Sequence, residues 1–144
     1  IEIDLHVPAL IPNDYIPDVH SRLVLYKRIA AAADNEILKE LQVEMIDRFG
    51  LLPGQVQTLF AIHTLRFQAK TIGIKKIDVY DQGGRIIFDE SPNIDPMAII
   101  TLIQTQAQKY KLDGQDKLRF TEFMPEPEDR INTLSQILNE LEQT

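Results

Sequence analysis

The sequence predicts an α+β fold: N-terminal helices packed with a small antiparallel sheet built from hairpins, then a C-terminal helix. Three observations carry this. Apolar residues recur at spacings of three and four from residue 19 to residue 72, the signature of successive amphipathic helices. Two later stretches, around DQGG (81–84) and DGQD (113–116), place short β-type runs on either side of a turn. Helical spacing returns between and after these hairpins, so helices and strands are segregated as in α+β folds and do not alternate as in parallel α/β folds.

Residues 1–5 alternate apolar and acidic as a half-buried strand does, and Pro8, Pro12 and Pro17 then keep the chain extended. Residues 1–17 therefore read as a strand followed by a proline-rich connector. Asp18 is placed to cap a first helix whose Val19, Leu23, Tyr26, Ala30 and Ala33 form the expected buried stripe, widened by Leu25 and Ile29. A second helix starts at Asp34 or Asn35, carries Ile37, Leu38, Leu41, Met45, Ile46 and Phe49 on one face, and ends at Gly50. Pro53 suits the first turn of a third helix, with Val56, Leu59, Phe60, His63 and Phe67, that stops at Gly73.

Residues 74–80 and 85–89 then form a hairpin whose two glycines are expected to supply the positive φ of the turn. Asp95 before Pro96 is a cap with proline at the first helical position, opening a fourth helix through Met97, Ile99, Ile100 and Ile103. Residues 110–112 and 117–123 give the second hairpin. Pro125 and Pro127 precede a last helix with Ile131, Leu134, Ile137, Leu138 and Leu141 in helical spacing.

A chain of 144 residues is long enough for one hydrophobic core, so residues 1–144 read as a single domain. Its first residue is Ile1 and IEIDL is already strand-like, which makes an excised piece of something longer the expectation. With no cysteine, thiol nucleophiles, disulfides and Cys-ligated zinc are all excluded. No signal-peptide pattern and no membrane-length apolar run is present, so a soluble, cytoplasmic protein without a membrane partner is expected. A net charge of −7 argues against autonomous binding to DNA and favours a basic partner.

No catalytic constellation emerges. His6, His20 and His63 share no ligand-type spacing, and the glycine motifs that cradle phosphates are absent. Every lysine lacks an acid two residues earlier, which removes half of a common metal-nuclease signature from the scattered Asp14, Asp18, Asp89, Glu90 and Asp95. Neither a metal site nor a cofactor site is expected in this domain. Charge is more informative: Glu36, Glu40, Glu44 and Asp47 fall at i, i+4, i+8 and i+11 on one face of the second helix, where only Lys39 and Arg48 lie near enough along it to offset them. That stripe is either a solvated face or a docking surface for a basic patch. A competing nucleic-acid surface would gather Arg22, Lys27, Arg28, Lys70, Lys75 and Lys76.

The segments IPDVHSRLVLYKRIA, VEMIDRFGLLP and YKLDG together resemble the C-terminal domain of the bacterial transcription-repair coupling factor over essentially the whole chain. Where His20 stands the family usually has Asn, and the tail after Pro125 is not diagnostic. The resemblance implies a regulatory module of a large multidomain translocase that removes stalled RNA polymerase from damaged DNA and recruits nucleotide excision repair. It implies a domain that folds back on the N-terminal UvrA-binding module of the same chain, masks it, and restrains ATPase and translocation until polymerase is engaged. ATP and Mg²⁺ would belong to the parent's helicase-like motor domains, and RNA polymerase, UvrA and DNA to the parent's partners. Carried over by position, Glu44 and Asp47 would pair with arginines of the N-terminal module, with Glu40 and Arg48 as neighbours on the same face.

Overall fold

A computed structural model describes residues 1–142. The order is β1 (Glu2–Asp4), α1 (Val19–Ala31), α2 (Asn35–Phe49), α3 (Gly54–Ile72), β2 (Ile74–Val79), β3 (Gly83–Phe88), α4 (Pro96–Thr105), β4 (Tyr110–Leu112), β5 (Lys117–Thr121) and α5 (Pro127–Leu141). The α+β class and both hairpins are as the sequence predicts. Packing divides the chain into a helical unit, Pro8–Phe67, and a sheet unit, Ile1–Val7 with Gln68–Thr144; the division falls inside α3 and splits the N-terminal connector after Val7.

In the helical unit, Ile11, Ile16, Leu25, Ile29, Leu38, Leu41, Met45, Val56 and Phe60 form the buried core. The proline-rich connector is pinned rather than loose. The Ile11 N–H donates to the Tyr26 hydroxyl at 2.6 Å, and Arg22 Nη1 donates to the carbonyls of Ile16 and Pro17 at 2.6 and 3.0 Å. Asp18 caps α1 by accepting from the Ser21 N–H, and Asp34 caps α2 by accepting from the Ile37 N–H. One sequence expectation is corrected in α1. Val19 and Leu23 are 60% and 53% exposed, whereas Leu25 and Ile29 are 2% and 1% exposed and carry the packing. Apolar side chains crowd residues 23–26, so periodicity alone leaves the helix rotation open; Arg22 gripping the connector carbonyls and Tyr26 bonding Ile11 fix it.

In the sheet unit the strand order is β1-β2-β3-β5-β4. Both hairpins are antiparallel and join through an antiparallel β3–β5 pair, while β1 adds parallel to β2, making the sheet mixed. One face is apolar: Ile77, Val79, Ile86, Leu118 and Phe120 are buried, together with Leu134, Ile137, Leu138 and Leu141 of α5. Arg130 on α5 donates to the carbonyls of Leu5, His6 and Met124 at 3.0–3.1 Å, and so ties three separate segments together.

The hairpin glycines do not act as expected. Only Gly83 has a positive φ, +151°, and both glycines lie within β3. Gly84 is required for space instead: a Cβ there would stand 2.7 Å from the Asp78 carbonyl oxygen and 2.8 Å from the Phe120 ring.

Candidate docking surface

The acidic stripe lies on α2 of the helical unit. Leu38, Leu41 and Met45 bury the opposite side, which turns Glu36, Glu40 and Asp47 out to solvent and leaves Glu44 half-buried. Glu44 is not free. Arg28 of α1 reaches it with two parallel bonds, Nη1 to Oε2 at 2.5 Å and Nη2 to Oε1 at 2.9 Å, and Arg48 Nη1 adds a third at 3.2 Å. The Arg28 fork, with its charge and that of Arg48, pulls the Glu44 carboxyl down from 4.5 to about 2 and raises Arg28 in turn.

Asp47 and Glu40 have no side-chain ion pair or hydrogen bond among the described residues, and Lys39 meets Glu36 at 3.5 Å. Exposed Val43 lies beside these acids, and half-exposed Ile46, on the flank of the helix, lines a groove with Leu51, Leu52 and Phe60. A groove of about 300 Å³ between α1 and α2 is lined by Arg28, Ala32, Ile37, Glu40 and Glu44. Arg48 also stands 4.7 Å from the centroid of the Phe49 ring, which fixes its head beside Glu44. The surface thus offers two uncompensated carboxylates, one locked carboxylate and one apolar side chain. Sequence spacing along α2 finds Arg48 as a neighbour of Glu44 but misses Arg28, whose contribution comes from another helix.

The six basic residues of the competing surface are distributed over both units. Arg22 holds connector carbonyls, Arg28 holds Glu44, and Lys76 lies 3.8 Å from Glu2; Lys27, Lys70 and Lys75 are exposed.

One cluster escaped the sequence reading altogether. Asp4, His6 and Asp78 bring ligand-type atoms within 4.8 Å of one another in the sheet unit, the one such group among the described residues. His6 Nε2 lies 2.7 Å from Asp78 Oδ1, the Tyr80 hydroxyl donates to Asp78 Oδ2 at 2.5 Å, and Arg85 stands 3.6 Å from the same carboxylate. Burial pushes the Asp78 carboxyl up, but the Tyr80 and His6 hydrogen bonds and the neighbouring charges outweigh it and leave it lowered. The direct His6–Asp78 bond and the Arg85 cation make this a charge-compensated cluster rather than a metal cage. No local signal announces it, because residues 4–6 meet Asp78 only through the parallel β1–β2 pairing.

Fold and surface define the class: an α+β domain that arranges its ions on an open helix face and an open sheet face. The particular family follows from comparison with known proteins. A family model described as "TRCF domain" matches residues 5–99. The chain is 45% identical over 142 residues to the transcription-repair-coupling factor of Escherichia coli (strain K12), covering 99% of this chain and 12% of that protein. It is 41% identical to the Haemophilus influenzae factor over 95% of this chain and 12% of that protein, and 35% identical to the Bacillus subtilis (strain 168) factor over 70% and 9%. A solved structure, "Crystal structure of C-terminal domain of transcription-repair coupling factor", shares the fold with a TM-score of 0.73 at 22% identity, covering 97% of this chain and 94% of that one. The chain belongs to the TRCF domain family of the transcription-repair-coupling factors. It spans about an eighth of the length of the first two relatives.

Proposed function

We propose that the chain is a non-catalytic, autoinhibitory interaction domain of a transcription-repair-coupling factor. In this reading it docks on the N-terminal UvrA-binding module of the same polypeptide, masks it, and restrains the ATP-driven motor until RNA polymerase is engaged. The parent then clears stalled polymerase from damaged DNA and recruits excision repair, with ATP and Mg²⁺ confined to its motor domains. The observation that carries the proposal is the α2 face, where Asp47 and Glu40 stand exposed without side-chain partners among the described residues, with exposed Val43 beside them. Two uncompensated carboxylates beside an exposed apolar side chain match a partner patch of arginines around an apolar centre. Glu44 contributes by its remaining exposed surface and by engaging Arg28 and Arg48. Tethering within one chain lets a few such contacts hold a closed state that is still releasable.

Charge reversal at Glu44 and Asp47 in the full-length parent tests this. The expected outcome is increased UvrA binding and raised basal ATPase; no change in either would refute the assignment. Among the described residues no helix is long and apolar enough to cross a membrane.

A further inference from the structure

The face of the sheet opposite the apolar one carries a row of five charged residues, one from each strand, of which Asp78 is buried. Asp4 lies opposite Asp78, Asp78 opposite Arg85, Arg85 opposite Arg119, and Arg119 opposite Lys111. Residues directly opposite on paired strands share a face, so the row reads acid, acid, base, base, base across the sheet. Alternating signs would stabilise such a ladder, and like charges side by side destabilise it. Segregated charge on a sheet is therefore a departure that function explains better than folding.

The two ends are not equivalent. The acidic end has a polar partner built in: His6 places Nε2 at 2.7 Å from Asp78 and Nδ1 at 3.7 Å from Asp4. The basic end is only partly offset, with Arg85 Nη2 at 3.6 Å from Asp78. Arg119 uses its Nε on Asp113 at 2.9 Å, while Lys111, and Lys117 one row along, have no side-chain partner among the described residues. Arg85 Nε is buried and unpartnered. A cavity of about 540 Å³ opens here, lined by Tyr80, Asp81, Gln82, Arg85, Arg119 and Phe120, so one carboxylate stands at its edge beside the two guanidinium groups.

We infer that the basic end of this row is an oxyanion site that binds phosphate groups. Adjacent strands lie about 4.8 Å apart, so three cations fall within roughly 10 Å. That density suits a multi-oxygen, multiply charged group better than a single carboxylate, and the guanidinium fork meets phosphate oxygens in pairs. Arg85 and Arg119 form the grip, and Lys111 and Lys117 supply field. Of the two aromatic residues lining the cavity, Tyr80 is already stacked on His6 at 4.7 Å between centroids and Phe120 is buried, so the guanidinium groups are the main features offered to a ligand. Recognition is accordingly of phosphate, presented as a free ion or as a nucleic-acid backbone.

The test titrates the 144-residue chain with inorganic phosphate and pyrophosphate by calorimetry, and with labelled single- and double-stranded oligonucleotides by anisotropy at about 50 mM salt. At least one probe is expected to bind, and Arg119→Gln is expected to weaken it at least about tenfold while keeping the native circular dichroism, since it removes both a like-charge neighbour and the exposed Asp113 pair. Calorimetric binding of phosphate identifies the free ion as the source; binding of oligonucleotides alone identifies the backbone. Should Arg119→Gln fold poorly, exposed Lys111→Glu replaces it with the same expected loss. Silence from every probe, unchanged binding in the variant, or tighter binding of polyglutamate than of any phosphate probe would overturn the assignment.

Discussion

The helical unit and the sheet unit satisfy their polar groups at different distances along the chain. In the helical unit many partners are near neighbours, such as Asp18 with Ser21, Asp34 with Ile37, and Arg22 with Ile16 and Pro17, and the longer links, Ile11 with Tyr26, Arg28 with Glu44 and Tyr15 with Gly50, join residues 15, 16 and 35 apart. The sheet unit has local bonds too, such as Arg119 with Asp113, but its longest links reach much further: His6 with Asp78 across 72 residues, and Arg130 with Leu5 and His6 across 125 and 124. Local partners make the helices definable piece by piece, whereas the sheet unit is held by contacts that exist only once the whole unit has assembled. Each of the following substitutions sets one side of that contrast against the other.

The largest effect is expected inside the helical core. Leu25→Ala should cost about 3 kcal/mol in denaturant unfolding, while Leu23→Ala, two residues away, should cost less than about 0.5 kcal/mol. Equal losses would contradict the rotation of α1 that buries Leu25 and exposes Leu23. Next comes the remote clamp: Arg130→Met should cost about 2 kcal/mol because it strands carbonyls of Leu5, His6 and Met124 at once. Arg22→Met, which frees only neighbouring connector carbonyls, should cost about half as much.

Gly84→Ala should destabilise by about 1–2 kcal/mol by forcing Phe120 away from β3, and proton chemical-shift changes at the Phe120 ring would report it. The smallest effect is electrostatic. Glu44 titrates at about 2 in the folded chain against an ordinary 4.5, so its contribution is complete above the ordinary value and is lost as pH falls toward about 2. Acid unfolding of Glu44→Gln should lack that part of the pH dependence. An identical acid limb in both proteins would mean that the Arg28–Glu44–Arg48 network does not persist in solution.

What the sequence made legible follows the same division. Caps, the five helices, both hairpins and the acidic stripe are written in spacings of two, three and four residues, which one strand or one helix turn enforces. The rotation of α1 was not legible, because apolar residues at nearly every position from 23 to 26 admit two stripes. The parallel docking of β1 was not legible either, since nothing in residues 1–7 names Lys76, Ile77 and Asp78 as partners. The reach of Arg28 to Glu44 and the row of charges across the sheet were hidden for the same reason.

The account's central claim rests on the exposed acids of α2 and is tested most directly by Asp47→Lys alone. This substitution leaves the Arg28–Glu44–Arg48 network intact, so a change cannot be blamed on a damaged helix pair. Measured in the full-length parent, UvrA affinity should rise by about tenfold, equivalent to about 1.4 kcal/mol of lost masking, with an unchanged Tm of the isolated chain. UvrA affinity equal to that of the unaltered parent would contradict it.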